Sequence, residues 1–342
     1  MPEFKKYSSI ENTFDKEFME KIVSEGYDSL QYVVQEKVHG ANCCFITDGE
    51  TVQFAKRTGT VETGEMFYNY EELLARYQDR VLHLFRRIKG EYAGTEGVLV
   101  YGEMFGGKYP HPDVKNDSKV MNIQKGVFYS PVHEFYGFDI CMNGQEGNRY
   151  LSVDEANMFF EEGNFLYAKT LFRGDLNECL KYPNDFPSRI AGWLGLPPLE
   201  DNICEGIVIR PVNPVYFRNG ARLLLKSKNS KFAEKKSVKK RQPSLYVKPT
   251  YSEALNGQLA VTEEYVTENR LNNVVSKIGH VSIPRETGKL TGLFSKDILD
   301  DYLKEHASAY ALLEKSEQKI LNRHINKQAI DLIKKVYMGM GF

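Results

Sequence analysis

Glu36-Lys37-Val38-His39-Gly40-Ala41-Asn42 is the stretch on which the reading of this chain turns. Val33-Val34 leads into it as a strand would. Asn42 to Thr47 partly alternates before Asp48-Gly49, a tight-turn signal, and Thr51 to Lys56 returns. Residues 31–59 therefore read as strands, with Lys37 at the end of one of them. The glycine that follows lets backbone approach a phosphate closely, and the lysine amine can then attack that phosphate. Alone, the string describes a surface lysine on an edge strand. Four more charged clusters downstream remove that reading: Ala55-Lys56-Arg57-Thr58-Gly59, Gly102-Glu103, Phe138-Asp139, and Glu205-Gly206 with Lys226-Ser227-Lys228.

A lysine nucleophile must lose its proton near neutral pH, and desolvation or neighbouring cations lower its pKa. Lys226 and Lys228 flank Ser227 on a strand, so their side chains share a face. Such a pair would help deprotonate Lys37 and would neutralise a triphosphate. His39 is one same-face step from Lys37, placed to touch a phosphate. The clusters come in the order that nucleotidyl transfer needs. Each has a plainer reading by itself: Phe138 a core aromatic, Glu103 and Glu205 strand-end carboxylates, Asp139 a structural orienter, and Asp297 a first-turn charge complementing a helix dipole.

A chain of 342 residues allows one large domain and a smaller one. Its 42% hydrophobic content is enough for a folded core rather than disorder. A net charge of −1 gives no global sign of nucleic-acid binding, but its distribution does. Lys226, Lys228, Lys231, Lys235, Lys236, Lys239, Lys240 and Arg241 crowd one short stretch. The five cysteines form no CxxC pair and leave one odd residue, so neither disulfides nor a zinc site are expected. No apolar run approaches the ~18 residues of a membrane span. Met1 to Tyr7 carries neither an apolar h-region nor an Arg-rich transit pattern. The expectation is a soluble, intracellular, monomeric protein.

Residues 65–88 read as a helix, because Met66, Tyr70, Leu73, Leu74, Tyr77, Val81, Leu84 and Phe85 recur at three-to-four spacing. Val98 to Glu103 is a buried strand ending in a carboxylate, and 105–131 a long loop. Phe135 to Cys141 is a strand, and Ser152-Val153-Asp154-Glu155 a capping box. Glu205 to Arg210 and Arg222 to Lys228 are strands joined through Arg218-Asn219-Gly220. From about Tyr251 the pattern is helical. Leu271, Val274, Val275 and Ile278 form one stripe stopped by Gly279, and Ser295 caps a helix carrying Ile298, Leu299 and Tyr302. The fold class is α+β: antiparallel sheets with flanking helices over 1–240, a linker at 241–250, and a small all-helical domain over 251–342.

The chain resembles the RNA ligase 2 family, which includes phage ATP-dependent RNA ligases and kinetoplastid RNA-editing ligases. The resemblance runs from Lys6-Tyr7-Ser8-Ser9-Ile10-Glu11-Asn12 through EKVHGAN (36–42), AKRTG (55–59), YGEMFGGKYPHPDV (101–114), FYGFDI (135–140), EGIVIRP (205–211) and RNGARLLLKSKNSKF (218–232) to NRLNNVVSKIG (269–279). It implies a nucleotidyltransferase domain in which Lys37 attacks the α-phosphorus of ATP, AMP passes to an RNA 5′-phosphate, and a 3′-hydroxyl displaces AMP. By the same resemblance Glu103 holds the ribose, Phe138 stacks on adenine and Arg57 orients the ribose and the reacting phosphate. Glu36 and Arg210 belong to the nucleotide site, and Asn42 places the reacting ends. Glu205 acts with Mg²⁺ through water, with Mn²⁺ able to substitute, and Lys226 and Lys228 stabilise the α-phosphate. Arg270, Asp297 and Asp301 engage RNA ends, with a nicked duplex the preferred partner and no membrane involved. Three positions depart from the pattern: Gln35 for an arginine, Arg210 for a lysine, and Asp301 for a glutamate. A DNA ligase or mRNA capping-type nucleotidyltransferase would carry a β-rich OB-fold where this chain is helical. A non-catalytic RNA-end binding protein would have a degenerate site, whereas Lys37, Glu205 and the lysine pair are intact.

Overall fold

The computed structural model describes every residue except Thr63, Glu146, 233–250, 280, 282, 284 and 339–342. Its contacts divide the chain into two units, Met1–Lys231 with Ser276–Gly279, and Phe232–Val275 with His280–Phe342. The expected linker and Lys235, Lys236, Lys239, Lys240 and Arg241 of the basic run lie outside the described residues.

Period-two patterning in the first unit produces two sheets. One has five strands in the order β1 (Glu11–Asn12), β12 (Leu225–Lys228), β11 (Gly206–Pro211), β2 (Tyr32–Lys37) and β10 (Thr170–Gly174). The other has seven: β5 (Gly59–Thr60), β4 (Val52–Lys56), β3 (Ala41–Thr47), β6 (Thr95–Phe105), β7 (Glu134–Gly144) and β8 (Gly147–Tyr150), with β9 (Leu166–Tyr167) also on β7. Neighbours are antiparallel except in the two-residue pairings β1–β12 and β7–β9.

Alternation then sorts side chains by face. Tyr32 and Val34 of β2 pack with Ile207, Ile209 and Leu225 on one face of the five-stranded sheet. Phe45, Val98, Val100 and Phe135 pack beneath α2 (Tyr70–Glu91), which contributes Leu73, Tyr77, Val81, Leu84 and Phe85. On the opposite face of the seven-stranded sheet, Cys44, Ile46, Leu99 and Tyr101 join Tyr7 and Leu224, so the two sheets face each other across this cluster. Burying each such side chain is worth about 1.5–3 kcal/mol. The cysteines Cys43, Cys44, Cys141, Cys179 and Cys204 are all free and buried, and burial raises their thiol pKa values.

A buried ion cluster ties the sheets. Asp139 on β7 is fully buried and accepts from Arg210 of β11 at 3.1 Å, from Arg222 at 2.8 Å and from the Tyr7 hydroxyl at 2.8 Å. Burial by itself would raise the Asp139 pKa; the Arg210 and Arg222 guanidiniums outweigh it and hold the carboxyl below its ordinary range. Arg222 also lies 3.7 Å over the centre of the Tyr150 ring.

The first unit's remaining helices are α1 (Lys16–Ser24), α3 (Val153–Glu162), α4 (Leu176–Leu180) and α5 (Ile190–Trp193). Ser152 and Glu155 form the expected capping box on α3. The α2 helix begins later than its apolar spacing suggests, because Tyr68 has a left-handed φ of 48° that ends any helix there and leaves Met66 exposed. The long loop after β6 has no helix or strand, yet it is held down: Tyr109, Val127 and Tyr129 are fully buried. The Asn202 side chain accepts from Phe128 N at 2.8 Å and donates to Phe128 O at 2.7 Å.

The second unit contains α6 (Glu253–Tyr265), α7 (Glu268–Ile278) as far as Val275, α8 (Thr287–Ala311) and α9 (Lys315–Met338). One expectation fails here, and one of the plainer readings with it. Helix α8 starts at Thr287, so Ser295 is no N-cap; it sits buried inside the helix with its hydroxyl unbonded. Asp297 consequently lies beyond the first turn and pairs with Arg270 at 3.0 Å instead of with a helix dipole. Arg270, 2% exposed, also bonds Asp301 at 2.8 Å and donates to Tyr265 O at 3.1 Å. Among the described residues no helix is long and apolar enough to cross a membrane.

Replacing Asp139 strands two buried guanidiniums. Asp139→Asn is expected to destabilise the protein by about 3–5 kcal/mol, measured as urea unfolding at neutral pH. The carboxylate's contribution is complete above its unfolded pKa of about 3.9 and fades as pH falls below that towards the lower folded value. A loss under about 1 kcal/mol would exclude the clamp as the link between the sheets.

Candidate active site

Lys37 is the last residue of β2, and the chain turns through Val38-His39-Gly40 into β3. Gly40 passes so close to β6 that a Cβ there would lie 2.3 Å from the Met104 carbonyl oxygen, which excludes any larger residue. Across β2, Lys37 is paired in register with Gly206. A Cβ on Gly206 would meet the Ser227 carbonyl at 2.1 Å, and its φ of +149° is one L side chains rarely adopt. Glycine at that point delivers the preceding Glu205 to the face that carries Lys37.

Glu205 is 1% exposed. Its Oε2 lies 2.7 Å from Lys37 Nζ and 3.9 Å from His39 Nδ1, while Oε1 lies 3.1 Å from Lys228 Nζ. Burial would push this carboxyl up; Lys37, Lys228 and His39 outweigh that and bring its pKa down to about 2. The charge nearest the Lys37 amine is thus a carboxylate that Lys228 shares. Lys226 occupies the same face of β12, opposite Val208.

The second sheet supplies the facing wall. Asn42 and Glu103 are paired in register, and Asn42 Nδ2 donates to Gly102 O at 3.4 Å. Burial raises the Glu103 pKa to about 7; Glu205 adds to the rise, while Lys37, Arg57 and a hydrogen bond from Asn42 oppose it. Arg57 lies in the turn between β4 and β5. Phe138 is half-buried on the inner face with its ring 4.9 Å from that of Tyr7, and its carbonyl accepts from Arg210 Nη1 at 3.0 Å.

The structure thus brings together Lys37, His39, Asn42, Arg57, Glu103, Glu205 and Lys228. Other residues named from the sequence sit elsewhere. The Glu36 side chain points to the far face of β2, accepting from Ser188 Oγ at 2.6 Å and Arg189 N at 3.0 Å; burial raises its pKa to about 7. Arg210 is spent on Phe138 and Asp139, and Arg270, Asp297 and Asp301 form their own cluster in the helical unit. One residue escaped the sequence reading. The buried Tyr129 hydroxyl accepts from the His39 backbone N–H at 3.1 Å, bracing the turn after Lys37. Its sequence signal was faint, a lone tyrosine in an aperiodic loop.

Among the described residues no cluster of three or more His, Cys, Asp or Glu could hold a metal. A single buried carboxylate is still the donor set magnesium uses when it keeps its waters and takes further oxygens from substrate phosphates.

Residues 30–228 match the family described as RNA ligase, and residues 249–331 match the T4 RNA ligase 2 C-terminal domain. The mitochondrial RNA-editing ligase 1 of Trypanosoma brucei brucei is 30% identical over 84% of this chain and 73% of that protein. RNA-editing ligase 2 from the same organism is 27% identical over 94% of this chain and 88% of that protein. Among solved structures, a mutant Naegleria gruberi RNA ligase with ATP and Mn gives a TM-score of 0.47 at 16% identity over 68% of this chain and 58% of that one, too slight a likeness to build on. With the family match spanning more than half of the sequence, the chain belongs to the RNA ligase family, in its RNA ligase 2 branch of ATP-dependent enzymes.

Proposed function

We propose that the chain joins 3′-hydroxyl and 5′-phosphate RNA ends through an AMP carried on Lys37, and that it prefers nicks in duplex RNA. The observation that carries this reading is the buried Glu205 carboxylate held between Lys37 and Lys228. In the first step the Lys37 nitrogen bonds to the α-phosphorus of ATP and the bond to pyrophosphate breaks. Attack requires the amine in its neutral form. Glu205 would hold Mg²⁺, or Mn²⁺ in its place, through water, and the ion would neutralise phosphate charge. Lys226 and Lys228 present ammoniums to the α-phosphate, the main electrostatic demand of the transfer.

Glu103, with a pKa near neutrality, is partly protonated at pH 7 and can both donate to and accept from a ribose hydroxyl. Arg57 orients ribose and phosphate, His39 touches a phosphate, and Asn42 places the ends. Phe138 offers its ring to adenine, and Arg210 acts through it by fixing the Phe138 backbone. In the second step an oxygen of the RNA 5′-phosphate displaces Lys37 from AMP. In the third the 3′-hydroxyl attacks that phosphate and AMP leaves. The helical unit, through the Arg270, Asp297 and Asp301 cluster, engages the RNA ends.

Incubation with labelled ATP and Mg²⁺ should leave label on the protein after denaturation, and Lys37→Ala should abolish it with circular dichroism unchanged. Label retained by that variant would reassign the nucleophile.

Nicked RNA duplex should be sealed faster than an unpaired strand, with ribonucleotides needed chiefly on the 3′-hydroxyl side, where 2′-hydroxyls and A-form shape are read. Affinity should fall with added salt. Equal rates on single-stranded RNA or on an all-DNA nick would sink the nick preference.

A further inference from the structure

Beside the nucleophile strand, and separate from the site above, the first unit holds a cavity of about 560 Å³ walled by α2, the segment from Glu161 to Lys169, and α5. That volume lies within the ~300–1,000 Å³ of ordinary ligand pockets. Three cations line it, in different states. Arg76 is committed to Glu134 at 3.0 Å and to the His133 carbonyl. Arg80 gives one nitrogen to Asn164 O at 2.7 Å, and its guanidinium lies 5.0 Å from the centre of the Tyr77 ring. Lys169 has no carboxylate partner among the described residues; its ammonium lies 5.3 Å from the Trp193 ring centre and 5.7 Å from that of Tyr167. Trp193 is the only tryptophan in the chain and is partly exposed. With Glu134 neutralised by Arg76, Glu161 alone opposes Arg80 and Lys169.

Aromatic faces set beside cations with donors to spare suit a base followed by its phosphate: the ring stacks and the ammonium meets the backbone. An acidic peptide would use the cations and leave the ring faces idle. The cavity is also tied to the catalytic strand at two points. Gln35 Nε2 donates to Ala168 O at 2.5 Å, between Tyr167 and Lys169, and the Glu36 carboxylate holds Ser188 and Arg189 where the turn bearing Trp193 begins. Both tying residues immediately precede Lys37.

We propose that this cavity binds a single-stranded segment of the RNA substrate, one base stacking on Trp193 or Tyr167 and the adjoining phosphate meeting Lys169 and Arg80. The inference rests on the RNA-joining reading above and adds a second contact for the strand, away from the joining centre.

Having no second tryptophan, the chain reports on this cavity through its own fluorescence. The full chain is converted to its AMP-bearing form with ATP and Mg²⁺, freed of nucleotide, and titrated with an oligoadenylate hexanucleotide lacking a 5′-phosphate, so that the nucleotide site is filled and no joining follows. Saturable quenching of Trp193 emission is expected, with affinity reduced about tenfold or more in Lys169→Glu. That variant should take up label from ATP at the wild-type level, separating loss of the cavity from loss of the reaction. Should wild-type labelling itself fail, the Lys37 reading falls, and the same titration on unmodified protein still decides the cavity. Absence of saturable quenching, or an undiminished response in Lys169→Glu, overturns the proposal. AMP matching the hexanucleotide would make the cavity a mononucleotide site, and polyglutamate quenching where RNA does not would make it a peptide site; either also overturns it.

Discussion

Two sheets can face each other at the right distance only if something crosses the gap, and here the crossing is ionic. Asp139 of one sheet holds Arg210 of the other, together with Arg222 and Tyr7, all out of water. Buried ion clusters cost about as much in desolvation as they return, so this one is better understood as fixing geometry than as adding stability. It fixes a great deal. Arg210 reaches past Asp139 to the Phe138 carbonyl, so the same guanidinium that spans the sheets also fixes the backbone that carries the Phe138 ring. The apolar cluster that Leu224 shares with Tyr101 and Leu99 would tolerate sliding; a guanidinium hydrogen-bonded to both the Asp139 carboxylate and the Phe138 carbonyl does not.

Within that frame the site holds two buried carboxylates whose pKa values are pushed in opposite directions. Glu205 is kept ionised by two lysines and a histidine, with a pKa of about 2, whereas Glu103 is pushed to about 7 because burial outweighs the cations around it. Pairs of acids separated in this way divide labour between charge and hydrogen bonding. On the function proposed above, a partly protonated Glu103 would suit sugar hydroxyls, while ionised Glu205 pairs with Lys37 and Lys228.

Much of this was legible in the residues themselves. The Lys37 strand, the hairpin after it, the Glu205-Gly206 strand start and the capping box at Ser152 follow local rules of turn chemistry and alternation, and local rules are what a sequence displays. The failures share a different origin. Helix α2 starts late because Tyr68 adopts a left-handed backbone that its residue type does not announce. Ser295 looked like a cap because a serine before an apolar run is one at a helix start, and nothing local said that α8 had begun at Thr287. The partner of Arg210 is 71 residues away in sequence, that of Lys37 is 168, and that of Arg270 is 27 or 31. Long-range pairing decides which charges meet, and spacing does not encode it.

The burial of every cysteine bears on the chemistry available to reagents. Five thiols sit in the core with their pKa values raised, so none presents a thiolate to solvent. An electrophile diffusing into this molecule meets amines and not sulfur, even though sulfur is intrinsically the better nucleophile. Native thiols therefore leave the surface blank to maleimides and iodoacetamides. A cysteine placed at an exposed position such as Phe14 would be the sole fast-reacting handle for attaching a dye, a spin label or a crosslinker, with no native residue to be removed first.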